Sequence, residues 1–188
     1  YFVDNDEENV NSLKKAIKHF PLNMHVVKDD CNLRIQNLHN YVKQKNFKTK
    51  VLAYIDPFGM QVSWETIKML GINGIDVFIL VPTGIGVTRM LKGNGEIKES
   101  WLSKLESFLG LNRKEIMDNF YQPERTMSLF EQDKVKLRKK ENTASEVAAL
   151  YQKQLQMVFQ YVSTPFMLKI VITPLCFIII WHLKIKML

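Results

Sequence analysis

Along the first hundred positions, short apolar runs alternate with stretches in which apolar residues recur every three to four places. That alternation predicts βα units and a parallel sheet. Tyr1 to Val3 reads as a strand stub, followed by a helix over 7–19 with Val10, Leu13, Ala16, Ile17 and Phe20 on one face. Pro21 stops that helix. Met24 to Val27 predicts the next strand, and Ile35, Leu38, Tyr41 and Val42 mark a second amphipathic helix. Val51 to Ile55 predicts a third strand. Trp64, Ile67 and Leu70 then share one face of a helix capped by Ser63, with Thr66 close behind, and Gly71-Ile72-Asn73-Gly74 is expected to break it. Ile75 to Val81 is almost continuously apolar, as in a strand covered on both faces.

After Pro82 the pattern loosens. Gly84, Gly86, Gly93 and Gly95 predict a long loop around a short helix, with helices to follow over 100–109 and 113–120. The chain from Arg125 to Lys153 is polar and charged. From Ser145 a helical apolar face returns: Val147, Leu150, Tyr151, Leu155 and Val158 predict a helix over 145–159. The change in composition places a boundary near Gln122 to Glu124. The expected fold class is α/β: a partial domain over 1–122 with a Rossmann-like, mostly parallel sheet, and a small C-terminal α+β appendage over 123–188, helical and hairpin-like in the manner of a winged helix.

Composition narrows the classes. The 188 residues are 46% hydrophobic and 24% charged, which excludes a disordered chain. A net charge of +7 admits a polyanion or an anionic membrane as partner without requiring one. Two cysteines, Cys31 and Cys176, exclude a disulfide scaffold or a zinc cluster, so a reduced, cytoplasmic setting is expected. His19, His25, His39 and His182 lack metal-ligand spacing, and Cys31 has no adjacent base to activate it. The chain opens on a strand-like segment without an initiator methionine, and reads as an N-terminally incomplete fragment.

Two segments carry alternatives. Lys134, Lys136, Arg138, Lys139 and Lys140 crowd one short run. It reads either as a solvated helix face or as a set of phosphate contacts for nucleic acid. The apolar tail "IVITPLCFIIIWHL", residues 170–183, is short for a membrane span and is broken by Pro174. A buried strand pair, a membrane anchor and the product of a shifted reading frame all stay open for it.

The chemistry gathers where strands end. Asp4, then Asp29 and Asp30, then Asp56 each follow an apolar run, and in open parallel α/β sheets ligands bind beyond the carboxyl ends of the strands. Asp4 is placed to accept hydrogen bonds from the two hydroxyls of a ribose. Asp30 with Asn32 suits the exocyclic amine of an adenine. Asp56-Pro57-Phe58-Gly59 suits an amino group: the carboxylate and a main-chain carbonyl accept its protons, Pro57 fixes the backbone, Phe58 offers a stacking face and Gly59 leaves room for a base.

The stretches "YFVDNDEEN", "KDDCN" and "YIDPFGMQVSWETI", followed by "IDVFILVPTGIGVTRML", resemble the three-Cys-motif partner proteins. These are bacterial proteins similar to Rossmann-like S-adenosylmethionine-dependent methyltransferases. The resemblance covers about Tyr1 to Phe120. It implies S-adenosylmethionine as methyl donor, with Asp4 on its ribose and Asp30 on its adenine. It further implies that Asp56-Pro57-Phe58-Gly59 is the acceptor motif, in a form similar to that of tRNA guanine-N2 methyltransferases. The acceptor would then be an exocyclic amine of a nucleobase in DNA or RNA. A radical-SAM-like protein bearing the three cysteines is the implied protein partner. The glycine-rich turn that would receive the donor's methionine part precedes the first visible strand, and Thr83-Gly84-Ile85-Gly86 does not replace it. The fragment is therefore expected to be inactive by itself. Two other functions stay open: a non-catalytic module that binds nucleic acid or a partner in a bacterial or phage-conflict system, and a tail-anchored membrane-associated protein.

Overall fold

A computed structural model of the protein describes residues 1–20, 22–45, 49–57, 59–126, 134–166 and 168. The chain divides into two compact units, Tyr1–Lys50 and Val51–Leu188. The division expected from composition, at 122/123, falls inside a strand.

The first unit is two βα repeats. β1 (Phe2–Asp4) leads into α1 (Glu7–Ile17), and β2 (Val26–Lys28) into α2 (Cys31–Gln44). The strands pair in parallel, with Phe2 opposite Val26 and Asp4 opposite Lys28. Both helices begin on an aspartate. Asp6 accepts from the Asn9 amide at 2.9 Å, and Asp30 accepts from the Asn32 and Leu33 amides at 2.9 and 3.1 Å. Glu7 and Glu8 in the first turn of α1 and Lys14 and Lys15 in its last turn complement the helix dipole. α1 stops at Ile17, short of the expected 19. Of its expected apolar face Val10 is buried while Ala16 and Phe20 are exposed. On α2, Ile35 and Val42 are buried and Tyr41 is exposed.

The second unit starts with the parallel pair β3 (Leu52–Ile55) and β4 (Asp76–Ile79), joined through α3 (Trp64–Ile72). Ser63 caps α3 as expected, accepting from the Thr66 amide at 3.2 Å. The helix ends inside the expected stretch, with Ile72 its last residue, Asn73 its C-cap and Gly74 at φ +62. Packing requires the glycine at Gly71, since the Val158 side chain and carbonyl occupy the space a Cβ there would need. β4 is covered on one face only. Val77 and Ile79 are buried, whereas Phe78 is half-buried and stacks across the pair on exposed Tyr54, ring centroids 4.9 Å apart.

Past β4, where a long loop around a short helix was expected, the helical part is a π-helical turn, Thr83–Thr88. α4 (Glu99–Leu109) and α5 (Arg113–Phe120) follow, the latter opened by a capping box between Asn112 and Glu115. β5 (Tyr121–Thr126) and β6 (Lys134–Lys139) form an antiparallel pair, and α6 (Thr143–Gln156) closes the described part. The core of this unit centres on Tyr151 of α6. It stacks on Phe108 of α4 at 5.2 Å and meets Trp64 of α3 edge-on at 5.5 Å. Trp64 thus packs helix against helix. Gly110 ends α4 at φ +65, and any side chain there would run into the Trp64 indole.

The basic run is a strand, not a helix. From Lys134 to Arg138 charged and apolar residues alternate, and that period of two suits a strand. Register with β5 places Lys136 opposite Glu124 and Arg138 opposite Gln122. Among the described residues no helix is long and apolar enough to cross a membrane, and the tail over 170–183 lies outside them.

Candidate functional site

Two strand edges carry the candidate acids, one in each unit. In the first unit β1 and β2 end side by side, and the Asp29 amide donates to the Asp4 carbonyl at 3.1 Å. Asp4 is held by the turn into α1: one carboxylate oxygen accepts from the Asp6 amide at 2.8 Å, the other from the Asn9 side-chain amide at 3.2 Å. A carboxylate has about four acceptor positions. The turn uses two and fixes the orientation of the group, which leaves acceptor capacity for ribose hydroxyls. Asp30 caps α2, and Asn32 donates its backbone amide to it. Asp29 reaches the Arg34 guanidinium at 3.6 Å. The structure thus brings Asp4 and Asp30 to one edge with Asn32 beside them, each acid already engaged with its own backbone.

Cys31 follows Asp30 as the first residue of α2. Burial pushes its thiol above the ordinary range, and the neighbouring Asp30 charge adds to this. A thiol held protonated is no nucleophile at neutral pH.

In the second unit the edge is built differently. The Leu80 amide donates to the Ile55 carbonyl at 2.9 Å, so Asp56 and Pro57 leave β3 level with the end of β4. Asp56 is exposed and has no hydrogen-bond or ion-pair partner among the described residues, while Pro57 is buried. Gly59, at φ +78, has open space where a side chain would stand. Phe58 lies outside the described residues. Asp56 is not the cap of α3, because Ser63 does that seven positions later.

The π-helical turn stands at the same end of the β3–β4 pair. The Val87 amide reaches back five residues to the Pro82 carbonyl at 3.1 Å, and Thr88 Oγ1 donates to the Thr83 carbonyl at 2.7 Å. Such turns are rare and cluster at functional sites. Thr83 and Val87 are fully buried. Gly84 and Gly86 lie in this turn, while Gly93 and Gly95 follow it. Pro82 ahead of Gly84 and Gly86 was the signal available, but a five-residue hydrogen-bond spacing has no sequence signature.

The basic residues of β6 divide by face. Lys139 Nζ donates to the Leu91 and Thr88 carbonyls at 2.8 and 3.2 Å. Lys140 Nζ donates to the Asn119 and Asp118 carbonyls at 2.7 and 3.3 Å, at the C-terminal end of α5. Arg138 pairs with Glu124 at 3.0 Å and approaches Glu141 at 3.8 Å. Lys136 is exposed. Lys134 is placed by backbone pairing alone, opposite Thr126.

An open cleft of about 610 Å³ lies in the first unit, lined by Tyr1, Lys14, Lys18, Met24, His25 and Arg34 among others. Neither Asp4 nor Asp30 lines it, although Arg34, which pairs with Asp29, does. Among the described residues no three His, Cys, Asp or Glu side chains converge as metal ligands. No protein-family model, curated protein or solved structure matches this chain.

Proposed function

We propose that this chain is part of an S-adenosylmethionine-dependent methyltransferase with a Rossmann-like sheet, acting on an exocyclic amine of a nucleobase in DNA or RNA. The observation that carries the proposal is Asp56. It is an acid at the carboxyl end of a parallel strand, next to a buried proline and an unobstructed glycine, and α3 has its own cap in Ser63. A carboxylate so placed accepts the protons of an amine and leaves its lone pair for an electrophile, which is positioning as catalysis.

Strand pairing supports the fold. In the doubly wound order 3-2-1-4-5-6, strands two and three are neighbours, as are strands four and five. The pairs β1–β2 and β3–β4 reproduce those two adjacencies when the count starts from the second strand. Asp4 then has the ribose role and Asp30 with Asn32 the adenine role. The donor, when bound, supplies the methyl electrophile. A cytoplasmic setting, where such a donor meets nucleic acid, goes with this reading, as does a three-Cys-motif, radical-SAM-like partner protein.

The engagement of Asp4 and Asp30 in turn and cap bonds favours one further reading. In a binding module that retains the fold without turnover, those acids would serve structure alone. A methyl-transfer assay separates the two, run on the protein expressed with whatever residues its gene encodes before Tyr1, against mixed tRNA and duplex DNA. Transfer that Asp56→Ala abolishes with donor affinity intact supports the enzyme. Absence of transfer to any nucleic acid, in a protein that melts cooperatively, leaves the module.

A further inference from the structure

We infer that, on the reading that the carboxyl ends of β3 and β4 hold the acceptor site, Lys139 is the positioning residue that holds the π-helical turn there and is not a phosphate ligand. Its backbone and side-chain donors both go to main-chain carbonyls. The backbone amide of Lys139 donates to the Gly93 carbonyl at 2.9 Å, while its ammonium donates to the carbonyls of Leu91 and Thr88. One residue thus grips three carbonyls within six positions, beginning at Thr88, the last residue of the turn.

Those carbonyls need a donor. Carbonyls at the end of a helical segment lack intrahelical partners and carry its negative dipole end, so an ammonium placed there satisfies both demands. Lys139 is half-buried and has no carboxylate partner among the described residues. Its charge is therefore directed at the backbone. A π-helical turn is a poorly favoured conformation that persists when its surroundings determine it. Here the surroundings are α6, which packs against the turn, Lys139 on the downstream side, and the internal bond from Thr88 Oγ1 to the Thr83 carbonyl. Strand alternation explains why Lys139 can do this and Arg138 cannot. Successive side chains point to opposite faces, so Arg138 meets Glu124 while Lys139 turns toward Thr88 and Leu91.

Amide hydrogen exchange on the whole chain tests the assignment. Lys139→Gln should speed exchange at Val87 and Leu91 by about tenfold, the usual consequence of losing one charged hydrogen bond. Lys139→Arg should restore slow exchange, and Lys140→Gln, whose ammonium serves α5, should leave those amides unchanged. Lys139→Met keeps the aliphatic stem and reads the same quantity if the glutamine variant does not fold. Unchanged exchange at Val87 and Leu91 would overturn the role. So would acceleration spread equally to Ile79 and Leu105, since that is a general loss of stability. In a parallel salt titration with a single-stranded oligonucleotide, Lys139→Gln should leave the slope of log affinity against log salt unaltered. A slope shallower by about 0.7 would make Lys139 a phosphate ligand and overturn the role. Absent oligonucleotide binding counts against the nucleic-acid acceptor, while the exchange arm still decides Lys139.

Discussion

Both units are built from βα repeats with a parallel strand pair, yet they differ sharply in what they bury. Among the described residues the first unit buries three apolar side chains, Val10, Ile35 and Val42. The second buries a continuous set that includes Ile67, Leu70, Val77, Ile79, Leu102, Leu105, Phe108, Ile116, Phe120, Val147, Tyr151 and Leu155. Identical local patterning therefore yields a solid core only where a third layer is present. In the second unit α3, α4 and α6 converge on Tyr151, and each contributes an aromatic ring. In the first unit two short helices meet three-residue strands, and Phe2, Phe20, Leu22, Leu33 and Tyr41 are left exposed. A fifty-residue segment has too little interior to offset its conformational entropy.

The largest effect that sharpens this contrast is expected at Phe108. Phe108→Ala should cost about 3–5 kcal/mol, read from urea melts of the second unit, because the stacked Tyr151 ring loses its partner and a cavity opens. Val42→Ala, at one of the few buried positions of the first unit, should cost at most about 1.5–3 kcal/mol. A larger loss at Val42 than at Phe108 would reverse the ranking of the two cores. Hydrogen exchange compares the units directly. Amides of β1 and β2 should exchange at least about tenfold faster than those of β4, since opening free energies follow buried contacts. Equal protection in both pairs would break the comparison.

A smaller effect is expected from the tyrosines. The Tyr121 and Tyr151 hydroxyls are buried without a hydrogen-bond partner among the described residues. Burial pushes the Tyr121 phenol up to about 12 and raises that of Tyr151 further. For a group whose folded pKa lies above its unfolded value of about 10, the stabilisation is complete below pH 10. It is lost as pH rises toward 12, because the unfolded chain releases its proton first. Thermal melts at pH 7 and pH 11 should show that Tyr121→Phe costs little or even stabilises at neutral pH, by about 1 kcal/mol. The same change should blunt the alkaline loss. A variant that melts lower at pH 7 would mean the hydroxyl has a partner after all.

The smallest effect concerns Cys31. Its thiol, raised by burial and by Asp30, should be alkylated by iodoacetamide more slowly than a free thiol at pH 8.5, followed at the Cys31 peptide by mass spectrometry. Asp30→Asn keeps a cap acceptor for α2 but removes the charge, so the rate should rise modestly. No change would leave burial as the sole cause.

The sequence by itself determined what local chemistry determines. Apolar residues at three-to-four spacing located α1 to α6 within a few residues, and short apolar runs located β1 to β4. Ser63 announced the start of α3 because a serine before an apolar helical face caps through its own side chain, with no help from distant residues. Asp4, Asp30 and Asp56 were legible at strand ends because each follows a short apolar run in sequence. Tertiary structure decided the rest. Lys134 to Lys139 became a strand because β5 pairs with it, and pairing depends on a partner that the run itself does not contain. Gly71 has to be a glycine because Val158, far along the chain, fills the space a side chain there would take. The glycine-bearing segment after Pro82 became a π-helical turn because α6 packs against it and Lys139 holds its downstream carbonyls. Caps and periodicity are properties of neighbours in sequence, whereas pairing, close packing and strained turns are properties of neighbours in space.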